Sequence, residues 1–273
     1  SSETMNKSAL VVFAFLSVAS AQLCSDVYTV MTYNLDCAAC DFEWRWESRL
    51  DAFKDIFQRY QPDLYGSQEL IDYAEVKEII DILPGNYSAV FYEGTLDYPD
   101  AAIFYREDLF ELIESGTVWL SPTPDVPFSK GFANRQVSPR VWVWAQLRVI
   151  RTNQEFLFTT THFDNNSPCQ EKSAPLVLDR TAPYSYMMPV ISTGDFNSDW
   201  NSTAYHILTT GVNTSDYFYF YQSFEYTSNW QVNTNVSPTP AYDETDAIDH
   251  IFFAGKGVEW TISNWSVDIW TYE

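Results

Sequence analysis

What most limits the fold is an alternation of strand-like and helix-like runs along most of the chain. Residues 27–34, VYTVMTYN, alternate in the manner of a pleated strand. The next run, WRWESRLDAFKDIFQRY, sets Trp46, Leu50, Phe53, Phe57 and Tyr60 near helical spacing with charges between them. After Pro62 a short strand, PDLYGSQEL, leads into a second helix through about Leu83. YSAVFYE, AAIFYR, FELIESGTVWL, RVWVWAQLRVI and EFLFTTTHF then read as strands. A helix near 170–183 leads into PVISTGDFN, a helix near 201–211 follows, and AIDHIFFAG and VEWTISNWSV are the last strands. Elements interleaved in this way must be layered, because every sheet face and helix stripe needs an apolar partner. The expectation is an α/β fold, and 273 residues at 46% hydrophobic suffice for one large domain or two small ones. Residues 212–247, rich in Asn, Thr, Ser, Tyr and Pro, read as a long glycosylated loop within the domain.

Four strand-like runs end on polar residues: MTYN on Asn34, GSQE on Glu69, TTTH on His162, and TGDFN on Asp195 and Asn197. A fifth strand opens with Asp249, in AIDHIFF. Singly these have ordinary explanations: a turn former, a solvated helix start, a satisfied core histidine. Repeated over five strands, the pattern predicts one rim of the sheets, where layered α/β folds hold their ligands. Glu69 is a hard oxygen ligand, and Asn34 supplies a carbonyl oxygen or an oriented amide; the pair suits a single Mg²⁺ or Mn²⁺ site. Asp195 and Asn197 sit two apart, hence on one side of an extended chain. One could take a proton from water while the other holds a phosphate oxygen. His162 and Arg140 can bring positive charge to a phosphoryl group.

The chain carries a formal charge of −22 and has no Lys/Arg cluster, which argues against a tight polyanion binder. After Met5 come Lys7, the apolar run ALVVFAFLSVA and the small-residue site Ala19–Ala21, so residues 1–21 read as a secretory leader cleaved before Gln22, with Ser1–Thr4 extraneous. No other stretch has the length and apolarity of a membrane span. An extracellular location agrees with six N-x-S/T sequons, at Asn86, Asn165, Asn201, Asn213, Asn235 and Asn264, and with an even cysteine count, Cys24, Cys37, Cys40 and Cys169. CAAC invites a redox or metal reading, but no second C-x-x-C and no clustered histidines support zinc, so a structural bridge is preferred. Cys37, Cys40 and Cys169 follow strands that end on the same rim, which predicts a bridge from Cys169 to Cys37 or Cys40, with Cys24 out of reach.

In order, the motifs MTYNLD, GSQEL, YPDAAIFYR, GTVWLSPTPDVPFSKGF, SPRVWVWAQL, TTTHFDNNS, STGDFNSD and AIDHIFF resemble the endonuclease/exonuclease/phosphatase superfamily from about residue 27 to the end. WLSPTPDVPFSKG is most similar to secreted members of its deadenylase-like branches. The resemblance implies a four-layer α/β sandwich, two mixed sheets with helices outside, and Mg²⁺-dependent hydrolysis of a phosphate ester. By the same resemblance Glu69 binds the metal beside Asn34, Tyr98 and Arg140 contact phosphate, and His162 is the first family histidine. Asp195 and Asn197 then activate water, and Asp249 orients a second histidine. Two departures stand out: HFDN has Asn165 where the family often has a histidine, and the chain stops at NWSVDIWTYE without the family's terminal Ser-Asp-His strand. The domain, 22–273, therefore reads as cut short at its C-terminus. The expectation is a secreted phosphodiesterase acting on a small, lipid-headgroup or nucleic-acid phosphate ester. The rival is a glycoprotein that keeps the fold without the chemistry, and a redox protein built on CAAC is a distant third.

Overall fold

The computed structural model describes residues 8–18, 27–40, 45–94, 98–133, 136, 138–211, 218–226 and 247–271. Its elements run β1 (Ser8–Val18), β2 (Val27–Asn34), α1 (Trp46–Tyr60), β3 (Leu64–Gln68), α2 (Tyr73–Ile82), β4 (Tyr87–Val90), β5 (Ala101–Arg106) and β6 (Phe110–Trp119). There follow β7 (Val141–Val149), β8 (Glu155–His162), α3 (Cys169–Ser185), β9 (Val190–Asp195), α4 (Thr203–Thr210), β10 (Tyr221–Gln222), β11 (Asp249–Ala254) and β12 (Trp260–Thr271). One sheet has the order β12-β1-β2-β3-β5-β4 and the other β10-β11-β9-β8-β7-β6. Both are mixed, with β2/β3 and β8/β9 parallel.

Strand alternation builds the layers. On β2, Val30 faces the space between the sheets while Met31 and Tyr33 face the helices; on β8, Phe156 and Phe158 face inward while Leu157 faces out. The inner cluster joins Val30, Ile103, Val143, Phe158 and Ile251. Outside the first sheet, Phe53 and Phe57 of α1 and Ile79 of α2 cover Met31, Tyr65 and Phe104. Outside the second, Leu178 of α3 and Leu208 of α4 cover Leu157 and Phe252. These three apolar seams are the expected four-layer sandwich.

Local chemistry sets the helix ends. Gln61, left-handed at φ 45°, closes α1 by donating its N–H to the Phe57 carbonyl, and Pro62 follows. Asp72 caps α2 at the Glu75 N–H, 3.0 Å, and the Glu75 carboxylate reaches back to the Ile71 N–H. Ser202 caps α4 at the Tyr205 N–H. No helix among the described residues is long and apolar enough to cross a membrane.

Two regions hold strands beyond those read from the sequence. The apolar run assigned to a leader forms β1 in the full chain, paired with both β12 and β2. The proposed cleavage segment, Cys24, Asn213 and Asn235 lie outside the described residues. The segment expected as loop contains β10 and a 3₁₀ turn, Ser223–Tyr226, because its aromatic run has surfaces to cover: Phe220 is buried against Phe252, and Tyr221 stacks on Phe253.

Near one end the sheets are joined by polar contacts. A Cβ at Gly66 would lie 2.1 Å from Thr193 Oγ1 and 2.6 Å from Thr160 Oγ1. The bare glycine allows β3 to approach β8 and β9. Two residues on, Gln68 Nε2 donates to Thr160 Oγ1 at 3.0 Å and Thr32 Oγ1 at 3.3 Å. This seam lies directly beneath the predicted rim.

Candidate active site

Register brings the site together. In the second sheet, His162 at the end of β8 stands level with Asp195 at the end of β9, and Asp195 with Asp249 at the start of β11. In the first, Asn34 on β2 is level with Gln68 on β3, and Glu69 follows. Glu69 turns out of its strand through a left-handed backbone, φ 66°, while its N–H donates to the Asp100 carbonyl at 2.7 Å. Every strand end predicted to form the rim does so.

Asn34 ties the two sheets. Its Oδ1 accepts the Asp36 N–H at 3.0 Å, which fixes the amide with Nδ2 toward the carboxylates. Nδ2 donates to Glu69 Oε1 at 2.9 Å and to Asp195 Oδ2 at 3.0 Å. Of the two roles open from sequence, the oriented amide is the one these hydrogen bonds show.

His162 is buried against this pair. Its Nε2 lies 3.9 Å from both Glu69 Oε1 and Asp195 Oδ2. Its Nδ1 is 3.1 Å from Asp100 Oδ1 and 2.7 Å from Arg140 Nη1, and Arg140 Nη1 also donates to Asp100 Oδ1 at 3.2 Å. One ring nitrogen can either donate to Asp100 or accept from Arg140, not both. Burial opposes charge on the ring, but Asp100 outweighs it, and the His162 pKa is raised. That favours Nδ1–H donating to Asp100, with Nε2 facing Glu69 and Asp195. Burial likewise opposes the Asp100 charge, and His162 and Arg140 overcome it, holding the carboxyl below its ordinary range.

Asp100 was not among the residues singled out from sequence, although YPDAAIFYR contains it. It just precedes β5 as Asp249 opens β11, so the same signal, an acid at the start of an apolar strand, was present.

Asp195, 5% exposed, accepts the Asn197 N–H on Oδ1 at 2.9 Å. The reason expected for pairing these two residues is not the one observed. Asn197 lies past β9 in a left-handed turn, φ 46°, and its side chain donates to the Phe163 carbonyl at 2.9 Å. Its backbone N–H, and not a shared strand face, holds the carboxylate. Tyr98 donates its hydroxyl to the Pro139 carbonyl at 2.7 Å, next to Arg140, and packs on Trp119 and Phe128. Burial pushes its phenol far up, so it remains a proton donor.

His250 faces the other side of β11, as alternation predicts. Its Nε2–H donates to the Ser198 carbonyl at 2.8 Å, its Nδ1 accepts from Gln222 Nε2 at 2.6 Å, and Phe196, Tyr205 and Phe252 surround it. Burial lowers its pKa to about 4, so it is a neutral core residue. His206 is exposed on α4. Among the described residues His162 is thus the one imidazole at the site.

The cysteine prediction is corrected. Cys37 bonds to Cys40, and Cys169 is a buried free thiol. After β2 the chain turns at once, with the Cys40 N–H on the Cys37 carbonyl, which brings the two Cα atoms to 5.0 Å. Cys169 instead begins α3, outside the other sheet. The sequon residues Asn86, Asn165, Asn201 and Asn264 are all exposed.

Glu69 Oε1 and Asp195 Oδ2 converge on one amide nitrogen and one imidazole nitrogen, and Asp249 stands level with Asp195 on the next strand. This excess of hard, negative oxygen fits Mg²⁺ or Mn²⁺. Cys37 and Cys40 also gather at Glu69, with ligand atoms within 4.8 Å of one another. Joined as a disulfide they are not thiolate ligands, so in this state the carboxylate is the group offered to a cation.

A family model described as the Endonuclease/Exonuclease/phosphatase family matches residues 31–265. No curated protein matches the chain. Among solved structures, a mannosyl-6-phosphatase of Bacteroides thetaiotaomicron is similar at 30% identity and a TM-score of 0.68, over 83% of this chain and 85% of that one. A functionally unknown conserved protein from Enterococcus faecalis shares 21% identity over 83% and 87%, with a TM-score of 0.70. The human Nocturnin catalytic domain with bound sulfate shares 17% over 89% and 87%, with a TM-score of 0.63; these last two speak for the fold alone.

Proposed function

Because the chain belongs to the endonuclease/exonuclease/phosphatase family, we propose that it is a divalent-metal-dependent phosphoesterase in which an activated water attacks phosphorus. The observation that carries the reading is the convergence of Glu69 and Asp195 on Asn34 Nδ2 and His162 Nε2. Glu69 would hold Mg²⁺ or Mn²⁺, which supplies Lewis-acid polarisation of the phosphoryl oxygen. Asp195, fixed by Asn34 and Asn197, takes the proton from water. His162, oriented by Asp100 and cationic when protonated, and Arg140 present positive charge to the phosphoryl oxygens. Tyr98 offers a hydroxyl beside Arg140, and Trp119 and Phe128 stiffen it.

A phosphodiester is the class expected from the motifs, and WLSPTPDVPFSKG supports the secreted deadenylase-like branch. The mannosyl-6-phosphatase at 30% identity favours a sugar phosphomonoester instead. Secretion, with N-glycans on the exposed sequons, is supported by the apolar N-terminal run. A second reading, a binding glycoprotein with impaired chemistry, is favoured by the placement of His206 and His250 away from the site.

Hydrolysis of a generic phosphodiester and of a hexose 6-phosphate, with Mg²⁺ titrated, tests these readings. Slow Mg²⁺-dependent turnover is expected, abolished in Asp195→Ala, and Glu69→Gln should need far more Mg²⁺. The preferred substrate decides between diester and monoester. Turnover no faster than Asp195→Ala on both esters would hand the case to the binding glycoprotein.

A further inference from the structure

The turn after β2 carries chemistry that hydrolysis does not use. Cys40 is exposed and Cys37 is buried, and Cys40 Sγ lies 3.5 Å from Glu69 Oε2. The Cys37 N–H donates to that same oxygen at 3.3 Å. The buried Arg49 grips the turn from behind, donating to the carbonyls of Leu35 and Cys37. The turn is thus held by hydrogen bonds that do not depend on the sulfur–sulfur bond. Both sulfurs and a Glu69 oxygen already lie within 4.8 Å of one another.

We propose that the Cys37–Cys40 bridge is a redox latch that switches Glu69 between two metal sites. Oxidised, the sulfurs are not ligands and Glu69 is left to a hard cation. Reduced, Cys37, Cys40 and Glu69 form a three-ligand Zn²⁺ site with a fourth position open to water. The C-x-x-C spacing, two soft sulfurs and one carboxylate are a ligand set that zinc takes and Mg²⁺ does not. Reduction by an external dithiol begins with thiolate attack on the exposed Cys40 sulfur, and the Cys37 sulfur leaves. The second thiol then closes the reductant's own disulfide. Two electrons pass to the protein, and the two thiol hydrogens of the reductant end on Cys37 and Cys40. Zn²⁺ binding releases both protons to water. The zinc site stands on the cluster alone; only its effect on turnover rests on Glu69 serving Mg²⁺.

The test uses the full chain, oxidised or reduced with dithiothreitol and freed of it anaerobically, with Co²⁺ as the spectroscopic probe for Zn²⁺. The reduced chain is expected to bind one equivalent of Co²⁺ with thiolate-to-cobalt absorption, which Zn²⁺ abolishes. The oxidised chain should show none. Reduced Cys40→Ser, which keeps Cys24, Cys37 and Cys169, should show none either, and reduced Glu69→Gln should bind at least about tenfold more weakly. A reduced chain without the absorption overturns the proposal. So does absorption that survives in Cys40→Ser, or affinity unchanged in Glu69→Gln. The readout is independent of hydrolysis, so a chain that binds Co²⁺ this way yet hydrolyses no ester keeps the latch and loses only the enzymatic reading.

Discussion

Asp100 acts on the site through His162. Replacing it with Asn keeps the shape but removes the charge that raises the His162 pKa. With that charge gone, the ring loses its proton at lower pH, so the alkaline limb of the activity profile should move toward acid. Turnover should fall by ~10²–10⁴-fold with KM little changed, and Asp100→Glu should recover part of it. His250 makes an independent prediction. Unfolded, its ring takes up a proton below about pH 6.5; folded, only below about 4. In that window the unfolded chain binds more protons, so stability falls as pH falls, by about 3 kcal/mol over the window. Urea midpoints from pH 7 to 4 should show this slope in the parent, and His250→Gln should flatten it. The site residues that sequence exposed most directly, Glu69, His162, Asp195 and Asp249, share one signature, a polar group at the end of an apolar strand. The direction of the Asn34 amide and the partner of Cys37 were hidden, because both depend on the path of a turn.

At the scale of elements, strand register is what makes a site of residues far apart in sequence. It depends on the close approach of the sheets at Gly66. Gly66→Ala should destabilise the fold by ~1–3 kcal/mol, because its methyl meets Thr193 and Thr160 well inside contact distance. Thermal unfolding should show the loss, and adding Thr193→Ala should recover part of it, a coupling that distant sites would not give. Strands, helices and layers were legible because alternation and helical spacing report burial directly. The first apolar run was ambiguous for a physical reason: a leader and a strand draw on the same β-favouring, apolar residues. Around Phe220 the difficulty is different, since neighbouring Asn, Ser and Thr mask an aromatic residue whose burial sets the local path.

Across the whole molecule, a formal charge of −22 surrounds a site proposed to take an anion. Long-range repulsion then slows encounter, and screening should relieve it. At fixed Mg²⁺, added monovalent salt should raise kcat/KM for a phosphate ester severalfold, opposite in sign to a basic nuclease. A fall with salt would mean that local positive charge governs capture.

The seam of Gln68 with Thr32 and Thr160 gives the sandwich a response to temperature that its apolar layers lack. Apolar burial weakens on cooling, and the contacts of α1 to α4 with the sheets rest on it. Hydrogen bonds beneath the rim do not share that weakening. A chilled molecule should therefore loosen first along its apolar seams, those under the outer helices and the one between the sheets alike, and last where Gln68 holds β3 to β8 beneath Glu69.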